Sequence, residues 1–322
     1  MKTYGFPPIL KSLRLLSDFF ERKEDDCYLP PEERTPDVQY RTILKNILET
    51  GRKVYPVHDG YALMLAGQQM RFLMKNGFPL ITEKDQSGSF KGALGELIAF
   101  MNGARTLEDL RKYGCPDVYW ARWVTKEKCD KWQLPPEHLG YASYGPVWTE
   151  YPTRDGGKFN QIANMVEQIK KKPNLRTHRL SNYYPPECTA SEETRRVVVV
   201  PCHGDLQILV FPKERELIVH HTQRSGDMPS GVPNNMVHYA AFGMMLAQAT
   251  GYAFTELVHY IVDAHIYDIQ IPYVEELLCR EPRAFPTVAL DKNSADIFQF
   301  RREHFHLTDY HPHPKMLIPT RV

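Results

Sequence analysis

Short stretches in the second half of the chain hold the residue types that can do chemistry. Pro201-Cys202-His203 places a thiol at the end of an apolar run. Gln223 to Asp227, Gly231 to Asn235 and Asp263 to Tyr267 then follow, each dense in polar groups. A cysteine thiolate is a nucleophile that can form a covalent intermediate, and clustered polar groups in a core are costly unless they contact a ligand. The pattern predicts a ligand site built around a nucleophilic Cys202.

Cys202 alone is weak evidence for catalysis, because most intracellular cysteines are small buried hydrophobes. The adjacent His203 need not be its base, since neighbouring residues of a strand point to opposite faces. A Cys-His hydrolase is the enzymatic alternative, but this adjacency has the wrong geometry and no oxyanion-hole motif is visible. The polar stretches downstream of Cys202 are what favour the catalytic interpretation.

The residues around these stretches predict the elements that must position them. A helix capped by Asn234 or Asn235 is apolar nearly all round and stops at Gly251. The β-branched composition and the polar turns predict four strands in this half. They are Arg196 to Val200, Leu206 to Phe211, Leu217 to Thr222 and Leu257 to Val262.

The first half of the chain is richer in helical patterns. Helices are predicted over Gln39 to Leu48, Gly92 to Met101 and Phe159 to Lys170, with a short strand pair around Gly67. Residues 1–37 read as an N-terminal extension, 38–322 as one catalytic domain, and the charged stretch 124–140 as a surface insertion within it. The sequence therefore predicts an α+β fold, with a large mixed or antiparallel β-sheet covered by helices.

The composition is that of an ordinary globular domain and excludes several classes of protein. In 322 residues, 40 basic and 39 acidic side chains leave a net charge of +1, so no overall field attracts nucleic acid or an anionic membrane. No signal peptide or bilayer-spanning stretch is visible, and none of the 6 cysteines forms a CxxC pair, so we expect a cytoplasmic protein. The histidines show no metal-ligand spacing, and no metal is expected.

Taken in order, the motifs resemble the thymidylate synthase family. The resemblance rests first on Pro-Cys-His at Cys202, Gln-Arg-Ser-x-Asp at Arg224, Gly-x-Pro-x-Asn ending at Asn235 and Asp-x-His-x-Tyr at His265. Further matches are Gln69-Met70-Arg71-Phe72, Gly77-Phe78-Pro79-Leu80, Gly95-Glu96-Leu97, Tyr119-Trp120-x-x-Trp123, Tyr144-Gly145-x-x-Trp148, Arg280-Glu281-Pro282-Arg283 and His311-Pro312-His313-Pro314. The resemblance covers residues 38–322, and so many motifs in register leave little room for coincidence.

The resemblance implies an enzyme that transfers a one-carbon unit from 5,10-methylenetetrahydrofolate to C5 of a pyrimidine nucleoside monophosphate. Cys202 matches the thiolate that adds to C6 of the base, and Arg224 matches the arginine that contacts both the thiolate and the nucleotide phosphate. This nearby guanidinium is expected to lower the pKa of Cys202. Glu96 matches an acid that acts at O4 through ordered water, and Tyr144 matches the tyrosine of the same water network.

The resemblance also assigns the residues that bind the two substrates. Asn235 matches the amide that hydrogen-bonds to the base. Its acceptor oxygen and donor nitrogen suit N3–H and O4 of uracil. Helix capping is the alternative role for Asn235. The other nucleotide-binding matches are Gln223, Ser225, His265 and Tyr267, the last two as the pair that holds the sugar 3′-hydroxyl. The folate-binding matches are Trp120, Asp227, Gly231 and Lys84.

The resemblance implies a homodimer through the sheet, in which Arg176 matches an arginine donated to the partner's phosphate site.

The chain departs from the family in the loop whose arginine normally binds the phosphate. The expected arginine falls near Val57 or His58, and Arg52 or Lys53 is the nearest substitute.

Other departures bear on the product. Ser230 and Asn234 stand where the family has apolar residues, and the charged Arg321 stands in the C-terminal cap, so we expect a wetter site. Water that reaches an exocyclic methylene on C5 gives a hydroxymethyl group, whereas exclusion of water lets hydride from the folate give a methyl group. We therefore expect a 5-hydroxymethylase acting on dUMP, or on dCMP or CMP.

Two alternatives to the hydroxymethylase stay open. One is a divergent thymidylate synthase that converts dUMP to dTMP. The other, from a different class, is a non-catalytic nucleotide-binding or regulatory protein on the same fold. Retention of Cys202 argues against the second, because a binding protein has no use for a nucleophile.

Overall fold

The computed structural model describes residues 28–56, 60–188, 193–292 and 295–321. Its largest element is a mixed sheet of six strands in the order β1-β2-β8-β7-β6-β5. These strands are β1 (Arg52–Val54), β2 (Ala62–Leu73), β5 (Arg179–Leu180), β6 (Asp205–Phe211), β7 (Glu216–Asp227) and β8 (Ala253–Tyr267). Two small two-stranded sheets pair β3 (Tyr151–Pro152) with β4 (Lys158–Phe159) and β9 (Thr287–Leu290) with β10 (Phe305–Thr308).

Ten α-helices surround this sheet within the described ranges. They are α1 (Gln39–Thr50), α2 (Ser87–Met101), α3 (Leu107–Lys112), α4 (Asp117–Trp120), α5 (Lys126–Lys131), α6 (Tyr144–Thr149), α7 (Gln161–Lys171), α8 (Pro185–Cys188), α9 (Gly231–Thr250) and α10 (Ile271–Leu278). The predicted α+β class, with a large mixed sheet covered by helices, is confirmed.

Strands β7 and β8 pair in parallel, whereas the other neighbours in the large sheet are antiparallel. Parallel neighbours need a crossover connection, and α9 supplies it. This helix is buried on nearly all sides between α2 and the sheet, as its continuous apolar sequence requires. The carboxyl end of β7, the start of α9 and the end of β8 are thereby brought together.

Two predicted strands differ from the structure. The strand pair around Gly67 is wrong: β2 runs through Gly67 in one unbroken register with β8, although Gly67 has φ +67°. The long partner strand sustains the ladder across a residue that would otherwise favour a turn. The strand at Arg196 to Val200 is also wrong. Only Val197 makes a bridge, to Gly140, and the segment bends at Val198 and Val199 within a partly buried connection.

The predicted helix cap is wrong as well. Helix α9 begins at Gly231, with Ser230 at the N-cap position and no side-chain cap. Asn234 and Asn235 therefore lie inside the helix, and their side chains are available for other contacts.

The segments proposed as an extension and an insertion both contact the core. Residues 1–27 lie outside the described ranges, but buried Arg34 donates to the carbonyl oxygens of Leu29 (2.8 Å) and Phe285 (3.0 Å). Residues 124–140 contain α5 and bury several side chains in the main core: Val124, Cys129, Trp132, Leu134 and Leu139.

Within the described residues, no helix combines the length and apolar character needed to cross a bilayer. The same part of the chain contains no group of three or more His, Cys, Asp or Glu side chains that could hold a metal ion.

Candidate active site

Cys202 lies in the connection before β6, and β7 places Arg224 against it. The backbone N–H groups of Arg224 and Ser225 both donate to the carbonyl oxygen of Cys202, at 2.7 and 3.3 Å. Arg224 Nη2 lies 3.4 Å from Cys202 Sγ. The same guanidinium donates to the carbonyl oxygens of Val200 and Pro201, both at 3.2 Å. The thiol and the guanidinium are therefore held together by backbone geometry.

Arg224 lowers the pKa of Cys202 as expected, but it does not bring that pKa below its ordinary value. Burial raises the pKa of the Cys202 thiol, Arg224 lowers it in part, and the carboxylate of Asp263 raises it again. Desolvation penalises a thiolate more than one guanidinium at this distance compensates. The resting residue is therefore mostly a thiol at neutral pH.

Tyr144, at the start of α6, contacts the backbone of Cys202. The Cys202 N–H donates to Tyr144 Oη at 3.0 Å. The Tyr144 ring stacks on Phe100, with centroids 4.6 Å apart, and lies 4.5 Å from the ring of His203. Burial, with a smaller contribution from Cys202, raises the pKa of Tyr144 well above its ordinary value. Tyr144 thus stays a neutral phenol that can donate a proton.

Glu96 lies in the buried part of α2 and has two polar neighbours. Trp120 Nε1 donates to Glu96 Oε1. His238 Nε2, from α9, lies 3.1 Å from Glu96 Oε2, although its geometry is not that of a hydrogen bond. Both His238 (1% exposed) and Glu96 (9% exposed) are buried. His238 is missing from the predicted site, yet its position one turn after Asn235 in an apolar helix is a usable signal.

Asn235 and Gln223 contact each other. Gln223 Nε2 donates to Asn235 Oδ1 and to the carbonyl oxygen of Ser225, both at 2.9 Å. Gln223 Oε1 lies 2.9 Å from His259 Nε2. Capping is therefore excluded as the role of Asn235, which is a buried amide held by a second amide.

The ends of β7 and β8 bring Ser225, Asp263, His265 and Tyr267 together. Ser225 Oγ donates to Asp263 Oδ2 at 3.0 Å, and His265 Nδ1 lies 3.2 Å from Asp263 Oδ1. The His265 and Tyr267 rings meet edge to face, with centroids 5.0 Å apart. Asp263 had no predicted role, although it stands within the Asp-x-His-x-Tyr motif. It orients both the serine and the histidine.

We expect the His265–Asp263 pair to make stability depend on pH. Burial lowers the pKa of His265, but the hydrogen bond and charge of Asp263 outweigh it and raise that pKa above 6.5. A raised folded-state pKa contributes stability that is fully present below about pH 6.5 and is lost as pH rises through the folded value. From about pH 6 to 9, wild type should lose up to about 1 kcal/mol more than Asp263→Asn in urea unfolding.

The matched control for this prediction is Asp155→Asn, in an exposed turn. Its pH profile should parallel that of wild type. If Asp263→Asn also runs parallel to wild type, the pair contributes no pH-dependent stability.

Asp227 closes the far side of the site and is held by the C-terminal tail. Thr320 Oγ1 donates to Asp227 Oδ2 at 2.8 Å, and Gln270 Nε2 donates to both carboxylate oxygens, at 3.0 and 3.1 Å. The backbone N–H of Ser230 lies 3.3 Å from Asp227 Oδ1. Burial raises the pKa of Asp227, and these donors oppose the rise. Both oxygens of this carboxylate therefore accept from donors of the protein in this structure.

Lys84 and Gly231 lie next to this carboxylate. Lys84 Nζ donates to the carbonyl oxygen of Pro229 at 2.8 Å. Burial lowers the pKa of Lys84 to about 8, and the charge of Asp227 opposes this. Gly231 starts α9, and a Cβ there would come within 4.0 Å of Asp227 Cβ. A side chain at position 231 would narrow the space beside the acid.

Two further contacts extend the tail's attachment. Arg321 Nη2 pairs with Asp268 Oδ1 at 2.6 Å, and Gln270 Nε2 donates to the carbonyl oxygen of Pro319 at 2.9 Å. Arg321 was expected to make the cap wetter. Its charge is instead engaged by Asp268, so Arg321 lends little support to that expectation.

The phosphate-binding predictions have different outcomes. Val57 and His58 lie outside the described residues. Lys53 Nζ lies 3.8 Å from the centroid of the Tyr61 ring, a cation–π contact at the start of the large sheet. Arg176 is exposed on the connection before β5, where its carbonyl oxygen accepts from Gln207 Nε2 at 3.1 Å.

A partly buried thiol beside an arginine, a buried amide pair and a cluster of polar side chains at the ends of β7 and β8 thus form one site. The family model for thymidylate synthase matches residues 38–322. The chain belongs to the thymidylate synthase family. It is accordingly a one-carbon transferase of nucleotide biosynthesis, with folate-dependent transfer to C5 of a pyrimidine nucleotide as its general chemistry.

Proposed function

We propose that the protein is a pyrimidine nucleotide 5-hydroxymethylase that acts on a uridylate-type monophosphate through a Cys202–C6 adduct. The observation that carries the proposal is the buried His238 at 3.1 Å from Glu96, because it adds a proton acceptor to the part of the site assigned to O4 and water. Ser230 and Asn234 add polarity around the start of α9. Asn234 bonds to the hydroxyl of Tyr119, and Ser230 Oγ lies 3.3 Å from Gln270 Nε2.

The first step is attack on C6. Cys202 first loses its proton to solvent, Arg224 stabilises the resulting thiolate, and as sulfur bonds to C6 the negative charge passes through C5 to O4 of the base. Asn235 and the water held by Glu96 stabilise that oxygen. Bound methylenetetrahydrofolate supplies the one-carbon unit, and the acceptor oxygens of Asp227 fit the N–H donors of a pterin ring.

The second step decides the product. C5 bonds to the methylene carbon of the folate, and loss of the C5 proton with cleavage of the carbon–nitrogen bond to the folate then leaves an exocyclic methylene on the nucleotide. His238 and Glu96 hold a water beside it and take one proton as the water oxygen bonds to the methylene carbon. The electron pair shifts back to C5–C6, and the Cys202–C6 bond breaks. The folate leaves as tetrahydrofolate, neither oxidised nor reduced.

A divergent thymidylate synthase is the second candidate, and one observation favours it. Thr320 of the tail reaches Asp227, and a closed tail excludes water from a reactive intermediate. Hydride transfer from the folate would then give a methyl group on C5 and leave dihydrofolate.

The deciding experiment is identification of the product by mass spectrometry. Purified protein is incubated with methylenetetrahydrofolate and, separately, dUMP, dCMP, UMP and CMP, while dihydrofolate absorbance is followed. A hydroxymethyl nucleotide without dihydrofolate supports the hydroxymethylase and identifies its base and sugar. A methyl nucleotide with equimolar dihydrofolate makes the protein a synthase.

His238→Phe should separate the two steps. The phenyl ring keeps most of the volume but cannot accept a proton, so hydroxymethyl formation should fall by about 100-fold. Tritium release from C5-tritiated dUMP precedes water addition and should change by less than about tenfold. His306→Phe, at an exposed position on β10, is the control. An equal fall in both rates would show that His238 acts only on packing.

We further propose a homodimer through the outer face of the sheet. Leu209 and Phe211 on β6 are 42% and 41% exposed, and Arg176 lies near this edge with an exposed side chain. A partner would cover these apolar residues and receive Arg176 in its phosphate site. The catalytic unit in this proposal is 38–322, and the preceding residues are an extension.

A further inference from the structure

The segment 195–200 leads to Cys202 and is held by the stretch 132–141. Three backbone contacts join these two parts of the chain. They are the bond from Val198 N–H to the carbonyl oxygen of Leu139 at 3.0 Å, the bond from Tyr141 N–H to that of Arg196 at 2.9 Å, and an antiparallel bridge between Val197 and Gly140. The approach to the thiol is therefore fixed by a stretch that contains none of the predicted site residues.

Gly140 permits this close pairing. It has φ +116°, and a Cβ there would lie 2.3 Å from Val197 Cα and 2.4 Å from the carbonyl oxygen of Arg196. Both the backbone conformation and the contact distance therefore require glycine. The Gly140 N–H donates to Nδ1 of buried His138 at 2.9 Å, which fixes the orientation of this peptide.

The side chain of Arg195 makes a second connection between the same two parts. Its guanidinium carbon lies 3.9 Å from the centroid of the Trp132 ring, a cation–π contact that is stronger at a half-buried position than in water. Nε and Nη2 of the same guanidinium donate to the carbonyl oxygens of Val197 and Val198, both at 2.9 Å. Trp132 is 9% exposed and packs in the main core, so it supports Arg195 rigidly.

The far end of the segment determines where Arg224 lies. The Val200 carbonyl oxygen accepts from Arg224 Nη2 and the Pro201 carbonyl oxygen accepts from Arg224 Nε, both at 3.2 Å. Arg224 Nη2 also lies 3.4 Å from Cys202 Sγ. A shift of these two carbonyl groups would therefore move the guanidinium relative to the thiol, and their charge interaction depends on that distance.

We propose that Trp132 and Arg195 are positioning residues for Cys202. Their contact holds the segment 195–200 in place, the segment places the carbonyl oxygens that hold Arg224, and Arg224 stabilises the Cys202 thiolate. The inference rests on the proposed function only in that Cys202 is the nucleophile.

The test is the pH dependence of Cys202 alkylation by iodoacetamide, which needs no substrate. Trp132→Leu keeps an apolar side chain in the core but offers no ring face to Arg195. Alkylation at neutral pH should become about three- to tenfold slower and the profile should move to higher pH, because the thiolate fraction falls. Trp132→Phe keeps a ring face and should restore most of the wild-type rate. Mass spectrometry of the Cys202 peptide separates its alkylation from that of exposed Cys279.

Phe305→Leu is the matched control. Phe305 is a fully buried aromatic side chain on β10, so its loss also weakens the core, but it should leave the alkylation profile of Cys202 unchanged. A wild-type profile in Trp132→Leu, or an equal shift in Phe305→Leu, overturns the proposal. Thermal unfolding verifies that each variant is folded.

Arg195→Gln tests the same contact without a change in the apolar core. It should slow alkylation of Cys202 by a similar factor, and a wild-type profile in this variant overturns the proposal even if Trp132→Leu does not fold. The double variant should be no slower than the slower single variant, because both changes remove one contact. Effects that multiply would show two independent causes and would also overturn it.

The outcome is separate from that of the proposed function. A wild-type protein that turns over no nucleotide contradicts the proposed function, and the alkylation profiles then still decide whether Trp132 and Arg195 position the thiol.

Discussion

Cys202→Ala is expected to lower the release of tritium from C5-tritiated dUMP by about four orders of magnitude or more, the scale on which loss of a nucleophile acts. Alanine cannot add to C6, and without that addition C5 has no carbanion character with which to attack the one-carbon unit. Arg224, Asn235 and Tyr144 should still bind the nucleotide, so its dissociation constant should change far less than the rate.

The matched control is Cys279→Ala. Cys279 is an exposed free thiol at the end of α10, and its removal should leave the rate within about twofold. Mass spectrometry of the protein with 5-fluoro-dUMP and methylenetetrahydrofolate gives an independent readout, since only a protein with Cys202 should carry the covalent adduct. A Cys202→Ala protein that keeps a tenth of its activity, or a wild type that forms no adduct, would favour the non-catalytic alternative.

Arg224→Gln should cause the second largest loss, about three orders of magnitude in kcat/KM. Burial and Asp263 raise the pKa of Cys202, and Arg224 lowers it. Removal of Arg224 should therefore raise that pKa further and reduce the fraction of Cys202 that is thiolate. The change also removes a charged hydrogen bond to the proposed phosphate site. The pH dependence of Cys202 alkylation by iodoacetamide should move to higher pH in the variant.

Arg224→Lys distinguishes charge from geometry. It restores the positive charge but not the planar donors that reach Val200 and Pro201, so we expect partial recovery of alkylation and little recovery of kcat/KM. Arg154→Gln, in an exposed turn, is the control. An alkylation profile that does not move in Arg224→Gln would mean that another group sets the reactivity of the thiol.

The long periodic elements could be predicted from the sequence, and the elements that depend on a partner strand could not. Helices α1, α2 and α7 and strands β6 and β7 appear close to where the pattern predicts them. The continuity of β2 through Gly67 depends on β8, which lies far away in sequence. The segment 196–200 has strand composition but pairs only at Val197, because composition does not supply a neighbour.

The properties of the site also differ in whether the sequence predicts them. The motifs identified residues whose sequence context is distinctive. In the structure these residues form contacting pairs, Cys202 with Arg224 and Gln223 with Asn235. The pKa of Cys202 could not be predicted, because it is the balance of burial against one guanidinium, and burial is a property of the whole fold.

His238 and His259 were not predicted as site residues for another reason. Each stands in an apolar element, where an isolated histidine is hard to distinguish from a satisfied core residue. Their importance depends on which side chain of a different element they face, Glu96 for one and Gln223 for the other. Sequence spacing contains no information on that pairing.

The attachment of the C-terminal tail to Asp227 has a consequence for ligand affinity at the same carboxylate. Thr320 and a ligand that donates to Asp227 use the same carboxylate, so the position of the tail and the occupancy of this acid are thermodynamically linked. By reciprocity, whatever factor the ligand applies to tail attachment, tail attachment applies to ligand affinity. The protease sensitivity of the last residues can be measured as a function of folate concentration, and it would report the same coupling free energy as a folate binding isotherm. The sign of this coupling free energy would show whether tail attachment weakens or strengthens folate binding.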